Sequence, residues 1–170
     1  FKVIYGCEAY LVDDLFDTVL NSKGQSLQGS FVVFDLETTG FSATRNRIIE
    51  FGAVKVENGS ITDRFSTFVN PQVPIPPRIT EVTSITNDMV KDAPTIETVL
   101  PEFLEFCKGC VLVAHNSEFD YTFIQKKSKE QNLEAEFTVV DTVGIARVLF
   151  PHLAKYTLDN VAKVLKISLV

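Results

Sequence analysis

Apolar residues fall in short runs rather than one long stretch, and the spacing of those runs changes along the chain. From Phe31 the sequence reads FVVFDLE, a brief apolar run of strand type that ends among acids. RIIEFGAVKVENGSITDRFSTFV then holds two strand-like runs joined through Asn58-Gly59, a dipeptide suited to the positive φ values of a two-residue hairpin turn. After the proline-rich connection NPQVPIPP, the pattern predicts helical segments around 79–85 and 95–107. A strand at 111–114, a helix at 117–131, a strand at 137–140 and helices at 143–149 and 157–166 complete the series. Three antiparallel strands followed by strands alternating with helices predict an α/β fold, a mixed five-stranded sheet flanked by helices. Upstream, FKVIYGCEAYLV predicts two short strands around Gly6, followed by acidic and then Asn/Ser/Gly/Gln-rich residues up to Ser30. This shift in composition places a boundary near Gly29, with 1–29 the tail of a preceding domain or a linker and 30–170 the main domain.

Of the 170 residues, 45% are hydrophobic and 22% charged, enough for one substantial core. No apolar run approaches the ~18 residues a membrane-spanning helix needs, and the chain begins at Phe1 rather than Met. It reads as a soluble, cytoplasmic piece of a longer protein. The formal net charge of -6 argues against a protein that coats nucleic acid by neutralising many phosphates. It leaves room for a nucleic-acid enzyme whose acids hold cations, since bound ions reverse the local field. Arg45, Arg47, Arg78, Lys126, Lys127 and Lys129 are local basic groups that could assist nucleic-acid binding, and the lysines read as solvated surface. Three cysteines are too few for a disulfide scaffold. Cys107 and Cys110 form a C-x-x-C at a helix end, where the dipole opposes a thiolate, so they read as apolar residues flanking a helix-ending Gly109.

Asp35 and Glu37 stand two apart at the end of an apolar strand, so both carboxylates leave the same face of the sheet and can converge on a hard cation. Thr38-Thr39-Gly40 follows, small residues that permit close backbone approach to a ligand or simply make a tight turn. Asp120, in AHNSEFD, opens a helix directly after the strand VLVA. Alone it reads as a first-turn acid favoured by the helix dipole; together with the first pair it reads as a third ligand at the end of a neighbouring strand. Asp141 ends a strand before Thr142 and reads as a helix cap.

FDLETTG, RIIEFGAV shortly after it, and HNSEFD some eighty residues later resemble the first two motifs of the DEDD exonucleases, a ribonuclease H-like superfamily. VTSITNDMVKDAP is similar to that family's loop after the proline-rich connection, and the resemblance runs from 31 to about 169. It implies metal-dependent 3′→5′ hydrolysis of phosphodiesters, with Asp35, Glu37 and Asp120 binding two divalent cations, Mg2+ or Mn2+. Thr38, Thr39, Gly40 and Phe119 would line the pocket for the terminal nucleotide. The family also uses a fourth aspartate and a histidine or tyrosine base. Tyr156-Thr-Leu-Asp159 has the wrong spacing for the tyrosine branch. KYTLDNVAKVLKI instead resembles the helix before the H-x4-D of the histidine branch, so both missing groups are expected beyond Val170. Asp159 then reads as a surface or capping acid, His115 as structural, and His152 as a loop residue.

FKVIYGCEAYLVDD is similar to part of the PHP domain of bacterial polymerase III α subunits of the PolC type, in which the exonuclease is inserted. That implies a proofreading role on single-stranded DNA 3′ ends, with the rest of a polymerase polypeptide as partner. The alternatives are a DEDD exoribonuclease, because nothing in the motifs reads the 2′ position, and a binding module without turnover.

Overall fold

The computed structural model describes residues 18–167; the two strands expected around Gly6, and Cys7, lie outside them. One mixed sheet organises the chain in the order β1-β6-β5-β2-β3-β4. The three central antiparallel strands follow from period-two patterning. In β2 (Ser30–Thr38) Val32, Phe34 and Leu36 are buried, whereas Val33 and Asp35 are exposed on the opposite face. β3 (Ile48–Glu57) pairs with β2 and places Phe51 and Ala53 on that buried face. Asn58 (φ 50) and Gly59 (φ 76) then make the predicted turn into β4 (Ser60–Phe68), with both central residues at positive φ.

The connection after β4 carries α1 (Pro77–Thr83) and α2 (Asn87–Val90), the latter a single turn in a stretch that read as loop. Ile49, Ile75, Ile85 and Val90 form a small core of their own beneath it. α3 (Ile96–Phe106) leads to β5 (Val111–Ala114), which joins β2 in parallel, and α4 (Ser117–Glu130) returns across the apolar face. Phe103 of α3 fills the centre of that face, with ring centroids 4.8 Å from Phe51 and 5.7 Å from Phe34. Cys107 caps α3 and is fully buried, and Gly109 follows at φ 76, as the C-x-x-C spacing and its helix-end position imply.

β6 (Val139–Asp141), α5 (Thr142–Leu149) and α6 (Leu158–Leu165) finish the described chain. Three expectations need correction. The sheet has six strands, not five, because β1 (Val19–Leu20) adds antiparallel to β6, and its two apolar residues are too few to show strand patterning. β6 begins at Val139 rather than 137, since the Phe137 N–H is turned to the Tyr121 hydroxyl (3.1 Å) instead of a strand partner. Lys127 is not solvated surface: it is 2% exposed and its Nζ lies 2.9 Å from Glu130, whereas Arg45, Arg47, Arg78 and Lys129 are exposed.

Candidate active site

The uncovered face of β2 and β3 carries the acids. Asp35 lies opposite Gly52 and Glu37 opposite Glu50, and directly paired residues share a face. Gly52 puts no side chain beside Asp35; a Cβ there would meet only the Asp35 carbonyl oxygen, at 4.0 Å.

Asp120 reaches the same place from another element. The parallel pairing of β2 with β5 ends at Val33, because β5 stops at Ala114 and the chain turns through Asn116 at φ 68 into α4. Leu36, further along β2, has lost its strand neighbour on that side. The Asp120 carboxylate takes over, Oδ1 accepting the Leu36 N–H at 3.1 Å. Asp120 stands in the first turn of α4, as read from the sequence, and is 3% exposed.

Each carboxylate is costly to ionise here. Burial pushes Asp120 up to about 7, with the charges on Asp35 and Glu37 adding to it and the backbone N–H groups of Leu36 and Asp120 opposing it. Desolvation by the surrounding protein also raises Asp35, although its side chain keeps access to solvent; the Leu36 N–H and His115 act against that rise. Glu37 is raised by desolvation and then by repulsion from Asp35 and Glu50, and Glu50 by desolvation and Asp35. None of the ion pairs seen among the described residues involves these four acids.

Among the described residues, no three His, Cys, Asp or Glu side chains are gathered closely enough to hold a metal ion by themselves. The donor set nevertheless fits a hard divalent cation, because it is all oxygen and its charge lacks an ion-pair partner. Mg2+ in particular is commonly held by one or two carboxylates, with water and substrate phosphate completing the shell.

Next to the acids the Thr38-Thr39-Gly40 turn is tied down. The Thr38 hydroxyl donates to the Gly40 carbonyl (2.8 Å), and Thr39 exchanges bonds with Arg47 through its N–H (2.8 Å) and its Oγ1 (2.9 Å). Both threonines are buried, and the Thr39 carbonyl also accepts from Asn46 Nδ2 (3.4 Å), so the turn is held rigid through side chain and backbone alike. Gly40 has φ 155, and a Cβ on it would come 2.8 Å from Asn46 Nδ2. Phe119 is half-buried beside Phe41, which is 83% exposed, with ring centroids 6.2 Å apart at a pocket of about 270 Å³. A larger cleft of about 710 Å³ opens in front of Asp35 between Val33, Arg64, His115 and Leu158.

His115 is structural: Nε2 donates to the Tyr156 carbonyl (2.8 Å) and Nδ1 is 2.9 Å from Thr142 Oγ1, so neither ring nitrogen is free. Tyr156 donates its hydroxyl to the Phe150 carbonyl (2.9 Å), and Asp159 is exposed in the first turn of α6. Asp141 caps α5 as expected, accepting the Val143 N–H at 2.8 Å. Sequence reasoning missed Glu50, although it lies in RIIEFGAV, because the long β2–β3 loop hides the register. It also passed over Phe41, whose only signal was an aromatic beside the glycine turn.

A family model described as Exonuclease matches residues 32–169. The chain belongs to this exonuclease family, on a ribonuclease H-like fold. The DNA polymerase III PolC-type proteins of Caldanaerobacter subterraneus subsp. tengcongensis and Clostridium perfringens are 53% and 52% identical to it over 99% of the chain. The chain spans 12% of the length of either relative. Among solved structures, that of exonuclease X in complex with 5′ overhanging duplex DNA is 31% identical, with a TM-score of 0.67, covering 82% of this chain and 75% of that one. Exonuclease I superposes with a TM-score of 0.73 at 15% identity over 83% of this chain and 38% of its own, a likeness of fold. Among the described residues no helix is long and apolar enough to cross a membrane.

Proposed function

We propose that this chain is the proofreading exonuclease unit of a PolC-type DNA polymerase III, removing nucleoside 5′-monophosphates from single-stranded DNA 3′ ends. On this reading residues 30–170 form the nuclease and 1–29 the end of a preceding PHP-like segment in the same cytoplasmic polymerase polypeptide. The observation that carries it is Asp120 seated on the Leu36 N–H, in the electrostatic field of Asp35 and Glu37 although 84 residues from Leu36 in sequence. Asp35, Glu37 and Asp120 are the groups that would hold two divalent ions, Mg2+ or Mn2+. Such ions, when bound, supply charge neutralisation at the phosphate and activation of the attacking water. The chain's own part is placement. The Thr38-Thr39-Gly40 turn would line the pocket for the terminal nucleotide, and the Phe41 and Phe119 rings offer a stacking platform that tolerates any base. The likeness to DNA polymerase III PolC-type proteins and the DNA bound to exonuclease X favour DNA over RNA.

The test uses 5′-labelled single strands of DNA and RNA with Mn2+. Binding is read first, because it depends on placement alone, whereas turnover also needs a general base, typically worth ~10²- to 10⁴-fold. Metal-dependent binding of DNA, with products shortened from the 3′ end, is expected. Preferential shortening of RNA would support the exoribonuclease reading instead, and binding unaffected by Asp35→Asn would remove the proposed site.

A further inference from the structure

Asp120 cannot be held in place by its fellow acids, which repel it. Its position depends on the Leu36 N–H and on whatever fixes the start of α4. That start is unusual: its N-cap Asn116 is left-handed (φ 68, ψ 53) and makes no side-chain capping bond, so the helix lacks the local cap that Ser, Thr, Asp or Asn ordinarily supplies.

The cap comes from another strand. Ala114, the last residue of β5, is paired with Asp141, the last of β6, which brings the Asp141 carboxylate beside the β5–α4 turn. Its Oδ1 accepts the Asn116 N–H at 3.0 Å and the Val143 N–H at 2.8 Å, and its Oδ2 accepts the Ser117 N–H at 3.2 Å. One carboxylate therefore serves the N-termini of α4 and α5 together, at the positive ends of both helices. Asp141 is itself held from outside. Its N–H donates to the Thr18 carbonyl (2.9 Å), and Thr18 packs so closely on α5 that a Cβ on Gly144 would fall 2.8 Å from Thr18 Oγ1.

We propose that Asp141 is a positioning residue for the nuclease site: by clamping the amides of the N-cap and of the first residue of α4 it sets where Asp120 stands, one helical turn further on. This rests on reading Asp120 as a metal-binding carboxylate. Asp141 touches neither metal nor substrate. Its effect passes through backbone amides; loss of a group bonded directly to a metal ligand typically lowers metal affinity by ~10- to 100-fold, and Asp141, one step further back, belongs at the low end of that range.

Mn2+ binding to the 170-residue chain tests it, measured by the electron paramagnetic resonance signal of free Mn2+ well below the melting temperature of every variant. The comparison set is the parent chain, Asp141→Ala, Asp141→Asn, Asp120→Asn and Val139→Ala. Val139 is fully buried in the same strand, so its truncation weakens the fold without touching the clamp. Asp141→Asn keeps an oxygen for two of the three amides and remains informative if the alanine variant does not fold. The expected result is a loss of about tenfold in Mn2+ affinity for Asp141→Ala, a smaller loss for Asp141→Asn, and parent affinity for Val139→Ala. Hydrogen exchange at the amides of Asn116 and Ser117 should quicken in the Asp141 variants only. Parent affinity in Asp141→Ala and Asp141→Asn, while Asp120→Asn loses binding, would overturn the proposal and leave the metal site standing. An equal loss in Val139→Ala would also overturn it, by showing general destabilisation. Unchanged binding in Asp120→Asn would overturn the metal reading of Asp120 and the proposal with it.

Discussion

Replacing Asp120 by Asn should stabilise the metal-free protein at neutral and alkaline pH, although it removes a proposed catalytic group. The side chain is 3% exposed and its carboxyl is pushed from 3.8 up to about 7, so the folded state binds its proton more tightly than the unfolded state does. The stabilisation tied to that proton is complete below the unfolded value and is lost as pH rises through about 7. At ~1.4 kcal/mol per pKa unit the rise corresponds to at most ~4 kcal/mol, and relaxation around the charge brings the expected gain to roughly 2–4 kcal/mol. Asn keeps the shape and an oxygen for the Leu36 N–H while removing the charge that opposes Asp35. For a domain of this size the gain is worth on the order of 10 °C in melting temperature. Calorimetry in chelator should show the two proteins alike near pH 4 and separated at pH 8, with the variant higher. Saturating Mn2+ should then raise the parent and leave the variant nearly unmoved, because only a state that binds the ion gains from it. Parallel melting curves from pH 4 to 8, or a variant that melts lower at pH 8, would refute the buried-charge argument.

Asp35→Asn should reduce the rise in melting temperature that Mg2+ or Mn2+ produces in the parent, and a full response would remove Asp35 from the ligand set. Gly40→Ala forces the Asn46 side chain away from the Ser42 N–H it accepts at 3.0 Å and strains a backbone at φ 155. A loss of ~1–3 kcal/mol in denaturant unfolding is expected, together with weaker binding of DNA ends. Phe41→Ala should weaken binding of a single-stranded 3′ end by ~1–3 kcal/mol, read by fluorescence anisotropy, with little change in melting temperature because the ring is 83% exposed.

The sequence by itself determined whatever depends on neighbours along the chain. The alternation of Val32, Phe34 and Leu36 against Val33, Asp35 and Glu37 was enough to put both acids on one face of a strand. Asn58-Gly59 was enough to close the hairpin, and the order of periods was enough to give the mixed sheet. Asp141 before Thr142 announced a cap for α5 in the same local way. Only the tertiary structure decided what those faces meet. Glu50 stands across from Glu37 because the β2–β3 register, including its irregularity at Glu37/Thr38, is set by core packing on the other face of the sheet. Lys127 is buried although it lies in a lysine-rich stretch with Lys126 and Lys129, since helix periodicity gives only its angle on α4 and not which element covers that angle. β1 exists because β6 presents an open edge that a strand of only two residues, Val19 and Leu20, can pair with. The seat of Asp120 was out of reach for the same reason: it needs β5 to end short of Leu36, leaving an N–H on β2 that only a side chain from α4 can satisfy. A buried N–H must find an acceptor, but which acceptor it finds is settled by chain closure over long distances, and alternation within a strand carries no record of that.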